Sequence, residues 1–174
     1  MSSSSSKSID GGCLCESVRY KISFPESHDI SKDTLGCICQ CTQCRKQTGS
    51  FFLATLTVPV SAIEWQGRSE ESIKKYRASG KIARGFCQNC GSFLFWHPDG
   101  EAISIATGSL DPLYLIGEGA HDTNGQVPEE GLAKEIFSGH FNVEFCGSEI
   151  KGVTDDMPVL HRGKRSQGDS SVTS

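Results

Sequence analysis

Nine cysteines in a chain of 174 residues constrain the fold more than any other feature of the sequence. They form three short groups and one isolated residue: Cys13 and Cys15; Cys37, Cys39, Cys41 and Cys44; Cys87 and Cys90; and Cys146. Because the number is odd, a framework with every cysteine in a disulfide is excluded. Spacings of one or two residues between cysteines are typical of metal sites in reduced compartments. The sequence therefore favours metal binding over a disulfide scaffold.

Charge and hydropathy exclude several classes of partner. The net charge is −4, so the chain lacks the basic character that marks nucleic-acid binding. No apolar run approaches the roughly 20 residues of a membrane-spanning helix. The first eight residues, MSSSSSKS, contain no apolar segment of a secretory signal. We therefore predict a cytoplasmic protein whose thiols stay reduced, with no nucleic-acid or membrane partner.

The length fits one domain, which we place at residues 9–162. Residues 1–8 are serine-rich and residues 163–174 are polar, so both are predicted to be disordered tails. Between them, turn signals separate short apolar segments roughly every eight to twelve residues, which is typical of an all-β fold. Residues 117–131 are polar and glycine-rich and predict a surface loop. The predicted strands are 17–24, 51–60, 63–67, 72–78, 83–87, 92–97, 102–110 and 135–145.

The cysteine groups can be divided between two zinc sites. A structural zinc takes four ligands in a closed tetrahedron, whereas a catalytic zinc takes three and keeps an open position. One pair before the first strand and one pair in a C-x-x-C turn close a four-thiolate site: Cys13, Cys15, Cys87 and Cys90. An open site would then be formed by Cys39, Cys41 and Cys44. The count leaves an alternative, in which a fourth ligand closes the second site as well: Cys37, His28, His97 or His140.

Three segments together resemble a known family. "GGCLCESVRY", "CQCTQCRKQTGS" and "FCQNCGSFLFW" are similar, in this order, to the motifs of the glutathione-dependent formaldehyde-activating enzymes, a family that includes the centromere protein V group. The resemblance implies a β-tent fold of packed antiparallel sheets with short connecting turns. It also implies the structural and catalytic zinc sites in the division given above. The family's "RK…GS" is matched by Arg45, Lys46, Gly49 and Ser50.

The sequence departs from the family pattern at two positions. The family often has glycine after its C-x-C pair, where this chain has Glu16. It usually has histidine between the first two catalytic cysteines, where this chain has Gln40. Neither change removes a ligand. Gln40 does remove a titratable group beside the metal, which puts a proton-transfer role at that position in doubt.

The expected activity is that of a carbon–sulfur lyase. Zinc with three thiolates suits a fourth soft ligand such as a substrate thiolate. The resemblance implies glutathione as the thiol and its addition to formaldehyde, giving S-hydroxymethylglutathione. Glutathione is an anion, so we expect Arg45 to act in catalysis as an anion clamp and Arg45, Lys46, Gly49 and Ser50 to bind the co-substrate. A second basic cluster is expected to be a solvated face: Lys74, Lys75, Arg77, Lys81 and Arg84.

Two other functions stay open at this level. The same zinc site could act on a larger metabolite in a specialised pathway, with residues 117–131 shaping its pocket. Alternatively, the chain could be a zinc-stabilised interaction module without chemistry. The sequence also leaves open whether the protein forms a homodimer.

Overall fold

Two β-sheets form the frame of the protein. The computed structural model describes residues 7–100, 102–118, 131–138 and 140–168. The smaller sheet has the antiparallel order β1-β2-β5, with β1 at Ser8–Gly12, β2 at Arg19–Ser23 and β5 at Ile63–Trp65. β1 and β2 form a hairpin, and the turn between them carries Cys13 and Cys15.

The larger sheet has eight strands in the order β11-β10-β3-β4-β9-β8-β7-β6. Its pairings are antiparallel from β3 to β6, whereas β10 runs parallel to both β3 and β11. The strands are β3 Leu35–Cys39, β4 Leu53–Pro59, β6 Ile73–Ser79, β7 Ile82–Cys87, β8 Phe93–Pro98, β9 Ala102–Ala106, β10 Phe141–Glu144 and β11 Lys164–Arg165.

The helices of the described residues are short. They are α1 Ile30–Asp33, α2 Thr42–Thr48, α3 Pro112–Leu115 and α4 Leu132–Phe137. None of them has the length and apolar character needed to cross a membrane. α2 is the one that matters for the site, because it follows β3 directly and carries Cys44.

The main core lies between the small sheet and one face of the large sheet. Alternate residues of each strand point to the same side, and on this side they are apolar. Tyr20 of β2, Leu56 of β4 and Phe95 of β8 are all buried in this cluster. Trp65 bridges the sheets, with its ring centroid 5.8 Å from that of Tyr20 and 5.7 Å from that of Phe95. The opposite face of the large sheet is consequently left for polar residues and cysteines.

The all-β prediction is confirmed, with four differences. The large sheet is mixed rather than purely antiparallel, because β10 and β11 join it in parallel. The segment 135–145 was expected to be one strand, but it begins in α4 and only Phe141–Glu144 is extended. Ser8 and Lys164–Arg165 belong to strands although they fall in the predicted tails. Neither β1 nor β3 was predicted as a strand. The predicted loop 117–131 lies mostly outside the described residues.

Candidate metal centres and the adjoining cavity

Four cysteine sulfurs meet between the β1–β2 turn and the β7–β8 turn. The Sγ atoms of Cys13, Cys15, Cys87 and Cys90 all lie within 4.8 Å of one another. Cys15 Sγ is 3.6 Å from Cys13 Sγ and 3.8 Å from Cys87 Sγ. Zinc–sulfur bonds of about 2.3 Å in a tetrahedron put neighbouring sulfurs about 3.8 Å apart. All four cysteines are free thiols, so the group fits one zinc ion with its coordination complete.

The backbone around this site is shaped to hold the sulfurs. Gly91 has a φ of +77°, and its N–H donates to the Cys87 carbonyl at 2.9 Å, which closes the C-x-x-C turn. Ser92 links the two turns, since its Oγ accepts from the Leu14 N–H at 3.1 Å and lies 3.2 Å from Cys90 Sγ. The hydrogen bond from Ser92 lowers the pKa of Cys90 to about 5. Ser92 thus supports the four-sulfur group by linking the two turns that carry it.

Three further sulfurs form a separate group at the start of α2. Cys39 ends β3, Cys41 is the N-cap residue of α2, and Cys44 lies in its first turn. Their Sγ atoms also lie within 4.8 Å of one another, and no fourth His, Cys, Asp or Glu joins them among residues the structure describes. As an N-cap, Cys41 accepts the Cys44 N–H at 3.3 Å. The group fits a zinc ion with three protein ligands and one open position.

Hydrogen bonds within this group set its charge when no metal is bound. The bond from Cys39, followed by that from Cys44, lowers the pKa of Cys41. The bond with Cys39, followed by that with Cys41, raises the pKa of Cys44, and the bond with Cys41 raises the pKa of Cys39 to about 12. The Cys41 sulfur lies at the helix N-terminus, where the peptide dipoles also favour an anion.

The alternative fourth ligands lie elsewhere. Cys37 shares the face of Cys39 on β3 but stays outside the three-sulfur group, and burial raises the pKa of its thiol. The His28 ring stacks on Phe24 and its Nε2 bonds the Thr34 hydroxyl at 2.8 Å. The Nε2 of His97 lies 3.3 Å from the Gly100 carbonyl oxygen. Like these two, the exposed His140 is absent from both sulfur groups.

A cavity of about 420 Å³ opens beside the three-sulfur group. Cys39, Cys41 and Cys44 all line it, together with residues on the face of the large sheet opposite the main core. Neighbouring cavity residues pair across β10, β3 and β4: Asn142 with Cys37, Cys37 with Thr55, Glu144 with Cys39, and Cys39 with Leu53. An open zinc position at these cysteines would therefore face the cavity.

One cross-strand row forms the far part of the cavity lining. Leu35, Thr57, Ser104, Trp96 and Arg84 are register partners in turn across β3, β4, β9, β8 and β7. Side chains paired in this way point to the same face of a sheet. All five line the cavity. Three of them are polar or charged, and the Thr57 and Ser104 hydroxyls bond to each other at 2.8 Å.

Arg84 is the functional candidate that the sequence did not reveal. It was expected on a solvated face, and its companions in that cluster are indeed exposed: Lys74, Lys75, Arg77 and Lys81. Arg84 is instead only 5% exposed. Its Nη2 donates to Gln43 Oε1 at 2.5 Å, and its Nη1 has no hydrogen-bond partner among the described residues. Its place inside the predicted strand 83–87 was the available signal.

Arg45 is held by backbone carbonyls. Its Nε donates to the Phe51 carbonyl at 2.9 Å and its Nη2 to the Ser148 carbonyl at 2.5 Å. Gly49 ends α2 with a φ of +68°, while Lys46 and Ser50 are exposed. The cavity lining includes none of these four predicted co-substrate residues. Their roles in catalysis and binding stay predictions.

Gln40 replaces the family's usual histidine in a fully buried position. Its main-chain N–H donates to the Glu144 carbonyl at 3.1 Å, which joins β3 to β10. Neither polar atom of its side chain has a hydrogen-bond partner among the described residues. Glu144 itself lines the cavity next to Cys39, so the site keeps a carboxylate close to the cysteines despite the loss of the histidine.

The fold and the two sulfur groups define an all-β protein with two cysteine clusters that could each hold a metal ion, one with four sulfurs and one with three. Residues 8–124 match the family model described as glutathione-dependent formaldehyde-activating enzyme, and the chain belongs to this family. An uncharacterized lyase of Schizosaccharomyces pombe is 30% identical over 87 residues, covering 50% of this chain and 56% of the relative. The match thus spans little more than half of that protein's length.

A solved structure from Rhodobacter sphaeroides also resembles the chain. It was determined as a structural genomics target, and the match covers 69% of this chain and 98% of that one. The sequence identity is 19% and the TM-score 0.49. A likeness of this strength carries no argument about the site.

Proposed function

We propose that the protein is a zinc-dependent carbon–sulfur lyase, which joins a thiol to an electrophilic carbon or releases it. The thiol we propose is glutathione and the electrophile formaldehyde. In the forward step the thiol loses its proton, a carbon–sulfur bond forms, and the carbonyl oxygen gains a proton. The family membership and the lyase name of the fission-yeast relative support this class of reaction.

The contrast between the two sulfur groups carries the proposal. Four sulfurs complete the coordination of one zinc, whereas Cys39, Cys41 and Cys44 leave one position unfilled. Both groups are built from free thiols of one chain, so they differ in ligand number rather than in ligand type. Cavities adjoin both groups: Cys13 and Cys90 of the complete group line one of about 770 Å³, and all three sulfurs of the incomplete group line one of about 420 Å³. This pairing of an open metal site with a cavity supports catalysis over a purely structural role.

The residues of the chain prepare the site for a sulfur ligand. A zinc ion held by three thiolates would supply a position for a fourth soft ligand and favour the deprotonated form of a bound thiol. Leu53, Phe93 and Phe145 pack against the cysteines and limit the access of water. Cys39 is fixed by the β3–β4 pairing, Cys41 caps α2 and Cys44 lies in its first turn, so all three ligands are held by regular structure.

In this proposal Arg45 is a positioning residue, which holds α2 in place. Its two bonds to carbonyls tie the end of α2 to the segments before β4 and after β10. The helix that carries Cys44 is thereby held against the strands that line the cavity. A direct clamp on glutathione, as the sequence predicted, would require at least one of these bonds to open.

The proposal is tested by following the adduct directly. Zinc-loaded protein is mixed with glutathione and ¹³C-labelled formaldehyde, and the exchange between free formaldehyde and S-hydroxymethylglutathione is measured by NMR. We expect exchange faster than in buffer for the wild type, and the buffer rate for Cys44→Ser, which lacks one of the three sulfurs. An unaccelerated wild type would contradict the formaldehyde assignment. A wild type that also fails to bind glutathione would contradict the lyase proposal and favour an interaction module.

A further inference from the structure

Arg84 places a buried positive charge at one end of the cavity. Only 5% of Arg84 is exposed to solvent. Among the described residues no Asp or Glu pairs with it, and its bonded partner is the neutral amide of Gln43 at 2.5 Å. Burying a charge away from water is costly unless it is paired. A bound anionic ligand would therefore stabilise the guanidinium in this position.

The position of Gln43 connects Arg84 to the cysteine site. Gln43 lies between Cys41 and Cys44 in the first turn of α2 and also lines the cavity. Its bond to Arg84 means that α2 covers the face of β7 that Arg84 occupies. An extended small molecule in the cavity can thus contact the sulfur group and the guanidinium at the same time.

The remaining polar lining fits the same kind of ligand. Beside Arg84 in the cross-strand row stand Trp96 and then Ser104, which offer an aromatic surface and a hydroxyl. Glu144 on β10 supplies the carboxylate of the cavity lining and is the register partner of Cys39 on β3. In the strand order, β10 and β7 lie near opposite ends of the large sheet. The cavity lining consequently carries a cation on β7 and a carboxylate on β10, with the three sulfurs also in contact with the cavity.

We propose that Arg84, positioned by Gln43, binds a carboxylate of the thiol substrate while the substrate sulfur occupies the three-cysteine site. This inference rests on the proposed function and assigns the anion-binding group to Arg84 rather than to Arg45. Arginine suits the task because its planar N–H groups match the two oxygens of a carboxylate. Arg84 is then the residue that selects acidic thiols over neutral ones.

The test compares one thiol with and without its carboxylates. Calorimetry on the zinc-loaded full chain gives the dissociation constants of glutathione and of glutathione diethyl ester, in which both carboxylates are neutral. We expect the wild type to bind glutathione about ten- to hundredfold more tightly than the ester. In Arg84→Met both ligands should bind with the affinity of the ester, and the protein should still hold two zinc ions. Arg84→Lys should restore only part of the preference, because a single ammonium replaces the paired N–H donors of the guanidinium.

Arg77→Met is the matched control. Arg77 lies on the adjacent strand β6, is exposed, and pairs with Asp99 at 3.0 Å, so its loss should leave both affinities unchanged. If Arg84→Met weakened glutathione and the ester equally, or lost one zinc, Arg84 would be a countercharge for the metal centre and the inference would be wrong. An unchanged preference in Arg84→Met would overturn it as well. A wild type that binds neither thiol would overturn the proposed function and, with it, this inference.

Discussion

Glu16 occupies a backbone conformation that glycine favours. Its φ is +62°, in the turn that carries Cys13 and Cys15, and the family often has glycine at this position. For a residue with a Cβ atom this conformation costs about 1–2 kcal/mol. The departure from the family pattern therefore carries a strain, and the hydrogen bond from the Glu16 N–H to the Cys13 carbonyl at 3.0 Å helps to hold it.

Replacing Glu16 by glycine should relieve this strain. We expect Glu16→Gly to raise the free energy of unfolding by up to about 1 kcal/mol, since the greater freedom of glycine in the unfolded chain offsets part of the gain. Urea unfolding of the zinc-loaded protein measures it. Gly91→Ala, at a φ of +77° in the other turn, is the converse control and should lower stability by about 1 kcal/mol. A loss of stability in Glu16→Gly would show that the carboxylate itself contributes.

At the scale of single elements, the start and end of α2 have different tasks. The start holds two cysteines, whereas the end is attached to the rest of the protein by Arg45, through the Phe51 and Ser148 carbonyls. Helices of seven residues are not stable alone. The placement of Cys44 consequently depends on contacts that α2 makes with other elements.

Arg45→Met should therefore act first on stability. We expect the free energy of unfolding to fall by about 1–3 kcal/mol, because hydrogen bonds from a charged donor are lost. Denaturant unfolding measures this, and Lys46→Met, at the neighbouring exposed position, is the control expected to change it by less than about 0.5 kcal/mol. Equal stability of Arg45→Met and wild type would contradict the role of Arg45 in holding α2 in place. It would then favour the role that the sequence predicted, in which Arg45 binds the anionic co-substrate.

The elements also show what could be read from sequence. Period-two alternation in β2 and the β-branched run of β4 predicted those strands correctly, because each buries one face against the core. β3, LGCIC, was missed because a glycine and two cysteines interrupt any apolar alternation, and its pairing with β10 depends on residues about a hundred positions away. α4 was taken for part of a strand because its apolar residues are too few to show a helical period.

At the scale of the whole molecule, the four-cysteine group joins the two sheets. Cys13 and Cys15 belong to the hairpin of the small sheet, while Cys87 and Cys90 belong to the β7–β8 turn of the large sheet. The four cysteines are brought together from positions more than seventy residues apart. Binding energy of a structural zinc is folding energy, so this site should contribute strongly to the stability of the entire fold.

Two cysteine variants separate the tasks of the sites. Cys90→Ser should lose the structural zinc and lower the free energy of unfolding by more than about 4 kcal/mol. Cys44→Ser should lose the other zinc and remain folded, because the open site lies within α2 and β3 rather than between the sheets. Zinc content by atomic emission and thermal unfolding measure both. Cys37→Ser, on the same strand face, is the control that should keep two zincs. Equal unfolding of the Cys44 and Cys90 variants would contradict this division of tasks.

The division of the cysteines could be predicted from their spacing, but the cavity could not. Ligand number and local turns determine which sulfurs can share a metal, and both are visible in sequence. The cavity that Arg84 lines is formed by six strands and a helix that meet only in the folded chain. The bonds of Arg45 to carbonyls are likewise long-range, since Ser148 lies 103 residues away. Sequence therefore grouped the cysteines correctly but placed the buried Arg84 on a solvated face.

The central claim is that one zinc of the protein has a position for a substrate sulfur. X-ray absorption at the zinc edge measures it on the zinc-loaded protein before and after glutathione is added. With two zincs per chain, the account predicts about seven sulfur ligands in total, rising to about eight when the thiol binds. Eight sulfurs before addition, or seven that do not change with saturating glutathione, would contradict it.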